Sequence, residues 1–175
     1  MNVQAFVLSI VVLCCFSLSS RANDLSISRN TTAPLSVSIP VDEQDANDRI
    51  IQRAQELIGT PYKWGGTTEE KGFDCSGLLV YLFRSEAGLE LPRTTSVMMK
   101  EGFPRVDRVD LQPGDAVFFK HNNQGQVNHV GLYIGDNQFI HAPSTGKTIR
   151  IDSLDNRYWN DRYYDYLRFQ DESSS

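Results

Sequence analysis

Gly72-Phe73-Asp74-Cys75-Ser76-Gly77, followed by Leu78-Leu79-Val80-Tyr81-Leu82-Phe83, decides how this chain folds and what chemistry it carries. The pattern predicts an apolar helix that opens on a cysteine. Asp74 has the short carboxylate that caps a helix by accepting from a first-turn N–H. Cys75 then lies in the first turn, where unpaired amides and the helix dipole favour an anion. A thiol there is expected to ionise below its ordinary pKa, and the thiolate is the nucleophile. The competing reading is an inert buried cysteine, a common fate of a free thiol.

The compartment decides between the two. Residues 1–22 read as a secretory signal: Ala5 to Leu18 is apolar and uncharged, and Ser20-Arg21-Ala22 supplies small residues before a cut at Asn23. No Lys or Arg precedes the apolar run, so a retained membrane anchor is the alternative. Cys14 and Cys15 raise a lipid anchor, although Val12-Leu13 lacks the small residues such signals carry. Two of the three cysteines lie in this segment, so the mature chain keeps one thiol and forms no internal disulfide. An unpaired thiol in an oxidising compartment is a liability unless it has a use. That favours a catalytic Cys75 in an exported, periplasmic or envelope-associated protein.

The chain has 175 residues and a formal net charge of −5, which suits one domain and argues against nucleic acid as a partner. Residues 23–44 are rich in Ser, Thr, Asn and Pro and read as a flexible linker, with a weak glycosylation sequon at Asn30. The domain is expected over 45–171, with a disordered tail at 172–175, and the protein is expected to be a monomer. Ile50, Ile51, Ala54, Leu57 and Ile58 form one helical stripe that Gly59 and Pro61 end. The Cys75 helix is expected to run to Ala87 and stop at Gly88, and a short helix follows Leu91-Pro92-Arg93-Thr94-Thr95. Strands are predicted at Ala116–Phe119, Val130–Ile134, Gln138–Ala142 and Tyr163–Phe169. Helices first and strands second argue for an α+β fold with an antiparallel sheet.

A nucleophile needs a base, and the base needs something to orient it. The candidates are His121, His129 and His141. If Gly135-Asp136-Asn137 is a three-residue hairpin loop, Ile134 faces Gln138, Gly131 faces His141, and His129 and His141 are diagonal neighbours on one face. A two-residue loop would separate them. His121 lies near the Asn122–Gly125 loop and reads as surface. Cys75 would then attack a carbonyl, His129 would move the proton, and His141 would hold the tautomer of His129. The backbone N–H of Cys75 and the Tyr62 hydroxyl would meet the oxyanion. One Cys and two His could instead bind zinc, but no close pair such as HxxxH or CxxC is present. No metal or cofactor is expected.

Pro61-Tyr62-Lys63-Trp64-Gly65-Gly66, Phe73-Asp74-Cys75-Ser76-Gly77, Leu91-Pro92-Arg93-Thr94, Leu111-Gln112-Pro113-Gly114-Asp115, His129-Val130-Gly131-Leu132-Tyr133-Ile134-Gly135 and Phe139-Ile140-His141-Ala142 follow in that order. Together they resemble the NlpC/P60 family of bacterial cell-wall peptidases, in its small single-domain Gram-negative envelope forms. The resemblance implies a papain-like fold and hydrolysis of peptidoglycan stem peptides or cross-links. It maps the nucleophile to Cys75, the base to His129 and the third polar residue to His141. It also implies that Asp74 and Ser76 bind a free amine of the substrate, and it leaves Arg93 without a role. The bond would be the D-alanyl–diaminopimelate or the γ-D-glutamyl–diaminopimelate bond. A non-catalytic wall-peptide binding module and a thioester acyltransferase of the same fold are the alternatives. An unpaired thiol has no use in the first, and no apolar run supplies an acyl slot for the second.

Overall fold

A computed structural model describes residues 43–120 and 125–170, with side chains from 46 onward. The signal read over 1–22 with Cys14 and Cys15, the linker up to residue 42 with Asn30, the tail at 172–175 and His121 lie outside the described residues.

Helix α1 spans Glu43–Glu56 and so begins within the stretch read as linker. Ile50, Ala54 and Leu57 fall on one stripe and are buried, as their spacing requires. Two short strands, β1 (Thr67–Thr68) and β2 (Gly72–Phe73), pair antiparallel and deliver the chain to helix α2. Helix α2 spans Cys75–Ala87. Asp74 caps it by accepting from the Gly77 N–H at 2.7 Å. Gly88 closes it in the left-handed conformation, φ 66°, which costs a glycine nothing sterically. Both ends are where the sequence places them. A third helix, α3, covers only Thr95–Met98.

A five-stranded antiparallel sheet follows: β3 (Ala116–Lys120), β4 (Val127–Gly135), β5 (Gln138–His141), β6 (Arg150–Ser153) and β7 (Tyr163–Leu167). Its order is β6-β5-β4-β3-β7. A one-turn helix, α4 (Arg157–Asn160), links β6 to β7. The fold is α+β, as the order of elements predicts. The β1–β2 pair, β6 and α4 were not foreseen. β6 carries one apolar residue, Ile151, and that one is 39% exposed, so its period is nearly silent.

Both faces of the sheet are covered, which explains why Ala116-Val117-Phe118-Phe119 is apolar without alternation. On one face Phe118, Val130, Leu132 and Ile140 pack against Leu78, Leu79, Leu82 and Phe83 of α2. On the other, Val117, Phe119, Tyr133 and Phe139 pack with Leu154, Trp159 and Tyr166 in a second, smaller core. Each fully buried Phe contributes about 1.5–3 kcal/mol in area terms. Among the described residues, no helix is long and apolar enough to cross a membrane.

The β4–β5 hairpin differs in detail from the three-residue loop expected. Gly135 pairs with Gln138, so the loop is two residues, Asp136 and Asn137, both at positive φ (50° and 55°). That is the turn whose twist suits a hairpin, and Asp and Asn tolerate it best among non-glycine residues. The register then shifts: Tyr133 pairs with Phe139 and Leu132 with Ile140, leaving Ile134 as a bulge. The bulge supplies the odd residue assigned to the loop, so the pairing beyond it is the one expected.

Candidate active site

The first part of the site is the N-terminus of α2. Cys75 is partly exposed, and its Sγ lies 3.8 Å from the carbonyl oxygen of Asn128, the residue before His129. The nucleophile candidate therefore meets the start of β4. Asp74 does more than cap. Arg93 pairs with it bidentately, Nη1 to Oδ1 at 3.0 Å and Nη2 to Oδ2 at 2.6 Å. The Gly65 N–H donates to Oδ2 at 2.9 Å, tying the Pro61–Gly66 loop to the helix. Ser76 Oγ accepts from Arg93 at 3.0 Å and donates to Asp74 at 3.4 Å. Arg93, which the sequence left without a role, thus holds Asp74 and Ser76 in one network. A substrate amine arriving there would share Asp74 with that guanidinium. Burial, and then the neighbouring Cys75 and Asp74, raise the Tyr62 phenol above its ordinary pKa, so it remains a protonated donor.

The second part is on the sheet face away from α1 and α2. His129 and His141 share that face, with His141 fully buried. His129 Nε2 and His141 Nδ1 are 2.8 Å apart. His141 Nε2 lies 2.9 Å from Asp152 Oδ2, on β6. Arg150 Nε and Nη2 donate to the same oxygen at 3.1 and 2.8 Å, and Trp159 Nε1 donates at 3.0 Å. Trp159 also stacks on His129, rings 5.4 Å apart at 22°. A carboxylate only accepts, so His141 Nε2 carries a proton. In the neutral ring Nδ1 then accepts from His129 Nε2–H, which leaves the lone pair of His129 on Nδ1. Asp152 sets both tautomers through this chain. Among the described residues, no group of three or more His, Cys, Asp or Glu side chains is arranged to hold a metal ion. Asp152, Arg150 and Trp159 were missed by sequence reasoning; the polar–apolar–polar order of Arg150-Ile151-Asp152 is the one trace they leave.

Gly131 makes this packing feasible. It stands between His129 and Tyr133 on the same face, and a Cβ there would lie 2.5 Å from the Phe139 ring and 3.3 Å from His141 Cβ. Gly131→Ala is expected to cost about 1–3 kcal/mol, as overpacking does, and to push His141 off His129. Chemical denaturation checks the first effect and loss of turnover the second.

Charge in the site differs from the expectation of a depressed thiol pKa. Burial, and then the Asp74 carboxylate, push the Cys75 thiol up to about 11, against the amides of Val130, Ser76 and Cys75, which favour the thiolate. The helix terminus acts as expected but is outweighed by desolvation. Burial first, and then His141, hold the His129 imidazole well below its ordinary value. Burial lowers His141 as well, against the pull of Asp152. Burial works against the Asp152 carboxylate too, yet hydrogen bonds from His141, Arg150 and Trp159 outweigh it and hold Asp152 ionised. Both shifts favour the uncharged forms, a thiol at Cys75 and an imidazole at His129. Iodoacetamide alkylation is expected to keep accelerating with pH well beyond the free-thiol value of about 8.5. A plateau reached at neutral pH would show a preformed thiolate instead. Because a depressed imidazole stays unprotonated below its ordinary pKa, the acid limb of kcat/KM is expected below about pH 6.5.

Cys75, Asp74, Arg93, Tyr62, His129 and Asp152 line one open cleft of about 1460 Å³. Helices carrying a cysteine at their rim, packed on an antiparallel sheet that carries histidines, define an α+β fold of the papain-like class. The chain belongs to the NlpC/P60 family: the family model matches residues 59–168. It is 42% identical over 124 residues to the protein named murein DD-endopeptidase MepS/murein LD-carboxypeptidase of Escherichia coli, covering 71% of this chain and 63% of the relative. It is 38% identical over 122 residues to murein DD-endopeptidase MepH of the same organism, covering 69% and 45%. It is 35% identical over 131 residues to the gamma-DL-glutamyl hydrolase of Bacillus subtilis, covering 75% and 31%. The chain spans about half the length of the curated relatives it matches. Among solved structures, an NlpC/P60 family protein from Bacillus cereus superposes with a TM-score of 0.65 at 35% identity, over 70% of this chain and 40% of that one. The NlpC/P60 domain of the peptidoglycan hydrolase SagA gives 0.59 at 29% identity, over 69% and 97%.

Proposed function

We propose that this protein is a cysteine endopeptidase of the bacterial envelope that hydrolyses peptide bonds in peptidoglycan stem peptides or cross-links. The observation that carries the reading is the hydrogen-bonded series His129–His141–Asp152, opening onto the same cleft as a thiol at a helix N-terminus. His129 Nδ1 takes the proton of Cys75 as Sγ forms its bond to the scissile carbonyl carbon. The oxyanion faces the Cys75 amide and the Tyr62 hydroxyl. The C–N bond breaks as His129 Nδ1–H passes its proton to the leaving amine. Water then attacks the thioester, with His129 again as base, and the acid product leaves with the thiol restored. His141 and Asp152 touch no reacting atom; they hold the ring and its tautomer throughout.

The substrate class comes from relatives named for murein and for γ-glutamyl bonds. Export through residues 1–22, cleaved or retained, would bring the domain to that substrate. One digestion tests the reading: intact murein is treated with the chain and the fragments are identified by mass. Loss of cross-linked dimers indicates the D-alanyl–diaminopimelate bond, and loss of tripeptide tails the γ-D-glutamyl–diaminopimelate bond. Murein left intact by the chain, under conditions where Cys75 alkylates normally, would overturn it.

A further inference from the structure

The chain as a whole is acidic, net −5, yet its cleft is not. Among the described residues, the carboxylates that line it, Asp74 and Asp152, are already bound by Arg93 and Arg150. Beyond His129 the cleft continues to Lys120 and Arg162, and neither makes an ion pair among the described residues.

These two cations are placed rather than loose. Phe119 pairs with His129 on one side and with Tyr163 on the other, so the next residue, Lys120, and the preceding one, Arg162, come together at one end of the sheet. The Lys120 amide donates to the Arg162 carbonyl at 2.8 Å. Lys120 Nζ stands 4.5 Å from the Tyr164 ring centre. The Arg162 guanidinium lies 3.8 Å over the Tyr158 ring and donates to the Tyr158 carbonyl at 3.0 Å. Tyr158 in turn packs edge-on against Trp159, the ring that stacks on His129. Aromatic faces hold cations without neutralising them. The result is two cations with fixed bearings, of which Arg162 reaches the His129 ring through Tyr158 and Trp159.

We propose that Lys120 and Arg162 form an anion subsite that binds a free carboxylate on the leaving-group segment of the substrate peptide. The inference rests on the peptidase reading above. His129 hands its proton to the leaving amine, so the segment beyond the scissile nitrogen lies on the His129 side of the cleft. Asp74 and Arg93 occupy the other, α2 side. A guanidinium and an ammonium at one end match a carboxylate by charge-assisted hydrogen bonds, while an amide there would gain little. The subsite makes the carboxylate state of the peptide, not only its length, a condition for tight binding.

The test uses the full chain carrying Cys75→Ser, which binds without turnover, and two synthetic peptides of one sequence. In one, the carboxylates of the leaving-group segment are free; in the other, they are amidated. Calorimetry is expected to show the free acid binding about tenfold more tightly than the amide. Raising salt from about 50 to about 500 mM should shrink that preference. Lys120→Gln with Arg162→Gln should remove it by weakening the acid alone, leaving the amide within about twofold. Lys120→Gln by itself should give an intermediate loss, which covers a double variant that fails to fold. Equal affinity for acid and amide, or equal loss of both in the variants, overturns the subsite. The unsubstituted chain is then assayed on the same peptides. Discrimination without hydrolysis would sink the peptidase reading and keep the subsite; hydrolysis without discrimination would do the reverse.

Discussion

Cys75→Ala is expected to lower murein turnover by about four orders of magnitude, and His129→Ala by as much, with the double variant no worse than either. A nucleophile and its base act as a unit, so their losses do not add. Cys75→Ser should be nearly as inactive, because a neutral hydroxyl is a poorer nucleophile than sulfur in a site arranged for a thiol. All should stay folded: the cap of α2 rests on Asp74 and Arg93, not on the sulfur. Rates from dye-labelled murein, read beside circular dichroism, decide the matter. Turnover surviving at a tenth of normal in folded Cys75→Ala would end the thiol mechanism.

The second large effect is expected at a residue that touches no reacting atom. Asp152→Ala should cost about 10²–10³-fold in kcat with little change in KM, because nothing then keeps the proton on His141 Nε2. Asp152→Asn should retain much more. The oxygen concerned meets only donors, from His141, Arg150 and Trp159, and an amide oxygen can face all three. A merely structural Asp152 would predict parallel losses of stability and rate in both variants; a tautomer-setting one predicts a rate split between them. His141→Ala should cost less than His129→Ala, since an orienting group does not carry the proton. His141→Gln or His141→Asn should recover part of that loss, as either amide accepts from His129 Nε2–H. Equal inactivity of Asp152→Asn and Asp152→Ala in stable protein would remove Asp152 from the series.

Much of the architecture is local and was legible without coordinates. Asp74 and Gly88 bracket α2 because capping depends on one side chain and one backbone conformation, both readable at single positions. The strands β3, β4, β5 and β7 announce themselves by apolar runs and by period. The pairing of His129 with His141 was also within reach, since hairpin register follows from counting. The count was right for a partly wrong reason: the odd residue is the Ile134 bulge and not a third loop position. The order of six motifs carried the family.

Two things were settled only by the tertiary structure. One is the partner set of His141. Asp152 and Arg150 lie on an edge strand with almost no apolar signal, and Trp159 on a single turn of helix. What makes them matter is convergence on one oxygen across β5, β6 and α4, which no spacing along the chain encodes. The other is the direction in which the Cys75 and His129 pKa values are shifted. The sequence shows a helix N-terminus, a local term that favours the thiolate. The cost of burying that thiolate beside Asp74, and of burying an imidazolium against Phe119 and Trp159, is a sum over the surroundings. Local amides and dipoles follow the chain; desolvation follows what packs around the group, and here it outweighs them.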